Sequence, residues 1–316
     1  MKHKAWFLLV LCNLFWAGNM IFGGYTSSEF PPVWITFLRW IIALIFLIPM
    51  ANIIEKPSWF RIWKKNWLLI LMMSVTGIAI YNAMTYTSLQ YTSPTNGSLI
   101  NSLTPALIML FSLIVLRERI NGIQFIGLVA SFLGVLIVLT KGDLMQVFFT
   151  HYNKGDGIMI VAILFWTAYS LISKRAKHLP SITLVTLTAV VGSVIMLPFL
   201  FIQPLHPEKI TTLGTVGILY LGIFPSVFSF IFWNKGINSL GATIAGVSMN
   251  LIPIFTVVIA LILGQQLILS QVMGGFIVII GMLLTSMKRK QKPFKKMIPE
   301  LIETCPYTML SIKEDS

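Results

Sequence analysis

Of 316 residues, 56% are hydrophobic and only 10% are charged, with a formal net charge of +13. Soluble domains carry roughly 25% charged residues, so this composition excludes a soluble globular domain and places the chain in a bilayer. Apolar stretches near the roughly 20 residues that span a membrane predict ten helices. They lie near residues 5–26, 33–51, 67–89, 94–115, 121–140, 156–173, 181–203, 213–236, 241–263 and 270–288. No Ala-x-Ala-like site follows the first, so it reads as a span and not as a cleaved signal peptide.

Along the chain, polar side chains are spread unevenly over these helices. The first segment offers Trp16 and Asn19, and the second carries Arg39, the single charge well inside a helix. The third and fourth hold Tyr81, Asn82, Tyr86 and Asn101, the sixth Trp166 and Tyr169, and the eighth and ninth Ser226, Trp233, Asn234 and Asn250. The remaining segments offer little beyond Thr and Ser. Polar groups facing lipid are costly, so the enriched helices should face a central cavity or one another. Arg39 has no helical carboxylate to neutralise it. It must meet carbonyls, water, aromatic faces or an anionic group of substrate, and both a structural role and a substrate contact are open.

The enrichment falls on matching helices because the chain is duplicated. Phe15-Trp16 recurs as Phe165-Trp166 (150 residues on), Pro49 as Pro198 (149) and Thr104-Pro105 as Ile252-Pro253 (148). Gln124, Gly127 and Gly134 recur as Gln271, Gly274 and Gly281 (147). The first repeat thus covers 5–140 and the second 156–288, with a basic tail at 289–316. Repeats of five helices, an odd number, insert in opposite orientations. Pro105 and Pro253 interrupt matching helices, each freeing a carbonyl four residues back, and Gly77 and Pro225 form a second matched pair. Such breaks mark transport sites and their hinges, or simple packing kinks. The glycine pairs of the fifth and tenth segments read as close helix packing.

Basic residues accumulate on cytoplasmic loops. With the N-terminus inside, nineteen of the 23 Lys and Arg fall on the cytoplasmic side, and both termini are cytoplasmic. The net charge therefore needs no nucleic-acid partner. Anionic lipid is the expected partner of the tail that begins Lys288-Arg289-Lys290, at roughly 1 kcal/mol per basic residue. All ten acidic residues and all four histidines lie outside the helix interiors. No nucleophile–base pair or ligand cluster exists at membrane depth, so the chain is read as no enzyme, with no metal or other cofactor.

Several stretches resemble one family when taken in order: Leu14-Phe15-Trp16-Ala17-Gly18, Leu38-Arg39-Trp40, Tyr81 through Leu89-Gln90-Tyr91-Thr92-Ser93, and the Pro105 helix ending Leu116-Arg117-Glu118. With the Gln-x-x-Gly and a further Gly in both repeats, the pattern is similar to the ten-helix EamA-type exporters of the drug/metabolite transporter superfamily. The shared features run from about Ala5 to Met287. The resemblance implies two inverted five-helix repeats around a central cavity, working by alternating access in the plasma membrane. One departure stands out: the counterpart of Glu118 is Gln265, not an acid. The expected function is secondary transport, as an exporter of a small polar metabolite such as an amino acid. Two alternatives are weighed beside it: uptake or exchange of a nucleotide-derived compound (S-adenosylmethionine-like or nucleotide-sugar-like), and a non-transporting membrane scaffold.

Overall fold

The structure, a computed structural model, describes residues 2–92, 94–117, 120–149, 153–262 and 268–287. The basic tail, Glu118 and Gln265 lie outside the described residues. Every long element is helical. In chain order the spans are α1 (Lys2–Thr26), α2 (Pro32–Met50), α3 (Trp59–Leu89), α4 (Pro94–Asn101 and Thr104–Val115), α5 (Gly122–Leu139), α6 (Lys154–Arg175), α7 (Ser181–Leu200), α8 (Thr212–Leu240), α9 (Ala242–Ser248 and Leu251–Ile262) and α10 (Leu269–Ser286). Among the described residues nine stretches are long and apolar enough to cross a membrane, and a tenth, Leu99–Val115, is shorter.

Some ends differ from expectation. Helix α3 starts at Trp59, well before residue 67, because its first turns are amphipathic and not apolar throughout. Arg61, Lys64 and Lys65 are exposed there, while Trp59, Ile62 and Trp63 pack on the core. The kink falls at Asn66 (φ −127°, ψ 17°), whose Nδ2 donates to the Ile62 carbonyl at 3.0 Å. A run of charge lowers hydropathy without ending a helix. Likewise α8 continues past residue 236 to Leu240, where Gly241 at φ 98° terminates it. Helix α6 starts two residues before the expected Asp156, because Asn153 and Asp156 form a reciprocal capping box.

The two halves interleave. Helix α1 packs on α8 and α9, while its counterpart α6 packs on α3 and α4. In the same way α2 meets α7 and α8, and α7 meets α2 and α3. The closest pair is α5 with α10, and the repeated glycines explain it. A Cβ on Gly127 would lie 2.6 Å from the Gly281 carbonyl oxygen, and one on Gly134 would lie 2.7 Å from that of Gly274. The residue numbers rise along one helix as they fall along the other, so the matched motifs meet antiparallel. Gln124 Nε2 adds a bond to the Thr285 carbonyl at 3.1 Å. Bare backbone on both sides permits this approach, as in other small-residue membrane interfaces.

Acidic side chains secure the loop ends. Asp156, buried at the start of α6, accepts from Asn153 N at 2.7 Å and from Thr92 Oγ at 2.5 Å, tying the end of α3 to α6. Glu55 accepts from the first amides of α7, Ile182 N at 3.0 Å and Thr183 N at 2.7 Å. Glu29 accepts from Thr211 N at 3.0 Å, at the start of α8. Each carboxylate sits where a helix N-terminus favours negative charge. Two acids of the first repeat thus hold helices of the second.

Irregular backbone occurs at matching places. Helix α4 breaks at Ser102–Leu103 and α9 at Met249–Asn250, just ahead of Pro105 and Pro253. Asn101 ends the first piece of α4. Gly77 and Pro225 lie within π-helical segments, Ser74–Ile80 in α3 and Phe224–Ser229 in α8. A wider turn weakens the backbone ladder, and side chains take up the slack. Asn82 Nδ2 donates to the carbonyls of Gly77 (2.8 Å) and Ile78 (2.9 Å), and Ser226 Oγ to that of Leu221 (2.7 Å). π segments often mark functional positions.

Candidate functional site

Three layers lie in the interior, two polar and one aromatic between them. The first polar layer centres on Arg39, which is 2% exposed. Its Nε donates to Ser226 Oγ at 2.7 Å, and its Nη1 to Tyr86 Oη at 2.5 Å, Asn82 Oδ1 at 2.9 Å and Asn19 Oδ1 at 3.3 Å. The guanidinium also faces the rings of Trp40 at 5.6 Å and Tyr86 at 5.8 Å. Expected carbonyl partners are replaced by neutral side chains from α1, α3 and α8. Among the described residues no carboxylate forms a salt bridge with it. Through Asn82 and Ser226, Arg39 touches both π segments, so a single side chain joins the matched irregularities of the two repeats.

The second polar layer lies in the last turns of α6 and α8. Asn234 Nδ2 donates to Tyr169 Oη at 2.8 Å and to the Phe230 carbonyl at 2.7 Å, and Ser173 Oγ donates to Asn234 Oδ1. Its counterpart in the first repeat has the residue types exchanged. Asn19 corresponds to Tyr169 (150 residues on) and Tyr86 to Asn234 (148), and Tyr86 Oη donates to Asn19 Oδ1 at 2.9 Å. Each repeat therefore bridges its first and third helices with one Tyr–Asn pair, at opposite ends of the interior. Charge breaks the symmetry. Thr188, which corresponds to Arg39 (149 residues on), donates to the Val185 carbonyl at 3.0 Å.

Six rings stand between the layers. Trp16 contacts Trp166 (5.1 Å between centroids) and Trp233 (5.2 Å), Trp166 stacks on Tyr169 (5.1 Å), and Tyr81 meets Trp166 at 4.7 Å. Phe230 lies 4.8 Å from Trp40 and 5.5 Å from Trp166, joining the ring layer to the Arg39 layer. Gly77 makes room for one of them: a Cβ there would fall 2.2 Å from the Tyr169 ring. The indole N–H groups of Trp40, Trp166 and Trp233 are buried without an acceptor among the described residues. A buried donor left unpaired costs about 1–3 kcal/mol.

Eleven of the thirteen side chains singled out in the sequence thus meet in these layers, and two stand apart. Asn250, at the α9 break, donates to Ser131 of α5 at 2.7 Å, and Asn101 accepts from Thr104 Oγ at 3.3 Å at the α4 break. The polarity of both serves the broken helices. Sequence reasoning missed Asn13, buried in α1 and bonded to Ser248 Oγ at 3.1 Å, and the rings of Trp40 and Phe230. Trp40 was visible beside Arg39. Phe230 carried no signal, since a phenylalanine in an apolar segment looks like any lipid-facing residue. A cavity of about 350 Å³ opens among the connecting loops, lined by Ser27, Glu29, Gln90, Gln203 and His206.

The comparisons with known proteins identify the family and the fold. A model of the EamA-like transporter family matches twice, at residues 3–140 and 153–287. The uncharacterized transporter YyaM of Bacillus subtilis (strain 168) is 30% identical over 298 residues, covering 90% of this chain and 95% of its own length. An uncharacterized transporter of Archaeoglobus fulgidus is 29% identical over 294 residues, covering 92% of this chain and all of its own. One crystal structure superposes with a TM-score of 0.73 over 90% of this chain at 16% identity, a likeness of fold alone. A multi-pass membrane transporter of a small-molecule substrate, and not an enzyme, is what these matches support. The chain belongs to the EamA-like transporter family.

Proposed function

We propose that the protein exports a small polar metabolite, such as an amino acid or related compound, across the plasma membrane by alternating access, with both termini cytoplasmic. The observation that carries this reading is the exchanged pair of Tyr–Asn bridges, one at each end of the ring layer. Alternating access needs two nearly equivalent closures that open in turn, and inverted repeats supply them. Matched π segments and helix breaks offer the places where α3, α4, α8 and α9 bend. The positive-inside charge pattern supports the orientation, and the basic residues from Lys288 onward support contact with anionic lipid.

The ring layer favours a second cargo, a nucleotide-derived metabolite whose base stacks on Trp16 and Trp166 while Arg39 meets its anionic group. Purified protein in liposomes, loaded with a panel of labelled amino acids and nucleotide derivatives, tests both. Release of at least one compound above protein-free liposomes is the expected result. No movement of any of them would refute the transport reading for this panel's chemistry.

The two bridges make a paired prediction. Tyr86→Phe removes the Tyr86–Asn19 bond together with the bond Tyr86 accepts from Arg39, and Tyr169→Phe removes the one to Asn234. Interhelical hydrogen bonds in membranes average about 0.6 kcal/mol, so Tyr169→Phe should shift the balance of states about threefold, and Tyr86→Phe, which also loses a bond to a charged group, by more. The shifts should be opposite. Labelling of a single cysteine at Ser27 by an impermeant reagent, with Cys12 and Cys305 replaced by alanine, is expected to rise in Tyr86→Phe and fall in Tyr169→Phe. Shifts in the same direction would count against paired closures.

A further inference from the structure

Arg39 is the single buried cation among the described residues, and nothing beside it carries a negative charge. All four of its hydrogen bonds come from Nε and Nη1, so Nη2 makes none among the described residues. Its partners each keep another bond without it. Tyr86 is bonded to Asn19, Asn82 to the carbonyls of its own π turn, and Ser226 to Leu221. Without Arg39 only one of these groups, the Asn82 Oδ1 acceptor, lacks a donor among the described residues. The network holds the guanidinium in one orientation, with two N–H groups of Nη2 left over.

Its surroundings repeat the same chemistry. Trp40, against which the guanidinium packs, and Trp166 and Trp233 in the ring layer all hold buried indole N–H groups with no acceptor among the described residues. An indole N–H donates and cannot accept. Phe230 makes these two regions contiguous, at 4.8 Å from Trp40 and 5.5 Å from Trp166. A fixed cation and three donors unpaired among the described residues thus lie along one continuous buried stretch of the interior. Such a stretch repels a cationic cargo and leaves donors unmet by a purely apolar one.

We propose that the cargo is a small monocarboxylate, its carboxylate held by Nη2 of Arg39 and its body, bearing hydrogen-bond acceptors, lying against Trp40, Trp166 and Trp233. The inference rests on the transport reading above and narrows it. One positive charge balances one negative charge. A phosphate, carrying −1.5 to −2 at neutral pH, leaves excess charge in a low-dielectric interior where unpaired ions are costly. A carboxylate also presents the geometry that guanidinium N–H groups recognise.

Binding to the purified full-length protein, read by tryptophan emission, tests this with matched probes: nicotinate against nicotinamide, and phenylacetate against phenylacetamide and phenyl phosphate. The acids are expected to bind roughly tenfold to hundredfold more tightly than the amides, the factor that hydrogen bonds to a charged group carry. Phenyl phosphate should bind more weakly than phenylacetate. Arg39→Gln should remove the preference for acid over amide, and Trp166→Phe should reduce the emission change. Equal affinity for acids and amides, tighter binding of phenyl phosphate, or a preference that survives in Arg39→Gln overturns the proposal. So does an unchanged emission response in Trp166→Phe. If Arg39→Gln does not melt cooperatively, the wild-type ratio of acid to amide decides alone. The liposome panel separates the two readings. Release of neutral or cationic compounds without acid binding keeps transport and removes the carboxylate, while acid binding without any release does the reverse.

Discussion

Arg39→Leu is expected to leave the protein folded in the membrane and to cut transport by about ten- to a hundredfold, the loss that goes with one hydrogen bond to a charged group. Removing a guanidinium from the hydrocarbon region relieves an insertion cost of roughly 2.5–3.5 kcal/mol. Of the groups it leaves behind, Asn82 Oδ1 loses its donor among the described residues, at about 1–3 kcal/mol. The relieved insertion cost offsets this, and the other bonds persist. Tyr86 keeps Asn19 at 2.9 Å, Asn82 keeps the Gly77 carbonyl at 2.8 Å, and Ser226 keeps that of Leu221 at 2.7 Å. Folding should therefore survive while the charge is lost. Arg39→Lys should fall between wild type and leucine. An ammonium keeps the charge, but it cannot bind Ser226, Asn82 and Tyr86 from one side while facing away with the other. Yield and melting of the extracted protein, measured beside efflux from liposomes, check both variants. Wild-type efflux from a well-folded Arg39→Leu protein would show that the charge is dispensable, and failure to insert would make Arg39 a structural residue.

Gly134→Leu should have the largest effect on assembly. A Cβ at this position meets the Gly274 carbonyl oxygen at 2.7 Å and Val278 N at 2.7 Å. The clash is with backbone on both counts, so no side chain can move aside and α5 must back away from α10. Overpacking typically costs 1–3 kcal/mol, and here separation also breaks the matching contact between Gly127 and Gly281. The expected result is a melting temperature well below wild type and a reduced yield of monodisperse protein. Gly275→Ala is the control, because a Cβ there has nothing within 4 Å, and its stability should stay within about 0.5 kcal/mol of wild type. Equal melting of the two variants would mean that the α5–α10 contact contributes little.

Much of the architecture was legible in the sequence because it follows from one-dimensional rules. Ten apolar segments, a slowly shrinking repeat offset and a one-sided Lys and Arg count specify a duplicated membrane protein whose halves point in opposite directions. The glycines of the fifth and tenth segments were legible as packing positions, since only small residues let backbones touch. The polar set also pointed inward, because lipid tolerates such side chains poorly. What remained hidden was pairing. Nothing in the chain tells that Tyr86 meets Asn19 while Tyr169 meets Asn234, because the exchange of residue types conceals the equivalence from a comparison of identities. Nor could the partners of Arg39 be read, since Ser226 lies 187 residues away and any buried oxygen would serve. Asn101 and Asn250 looked like members of the same set and are not, because polarity marks a residue as inward-facing without saying which neighbour it meets. Helix periodicity and hydropathy act within a segment. The choice of partner between segments is made by side-chain packing in three dimensions, and only the tertiary structure decided it.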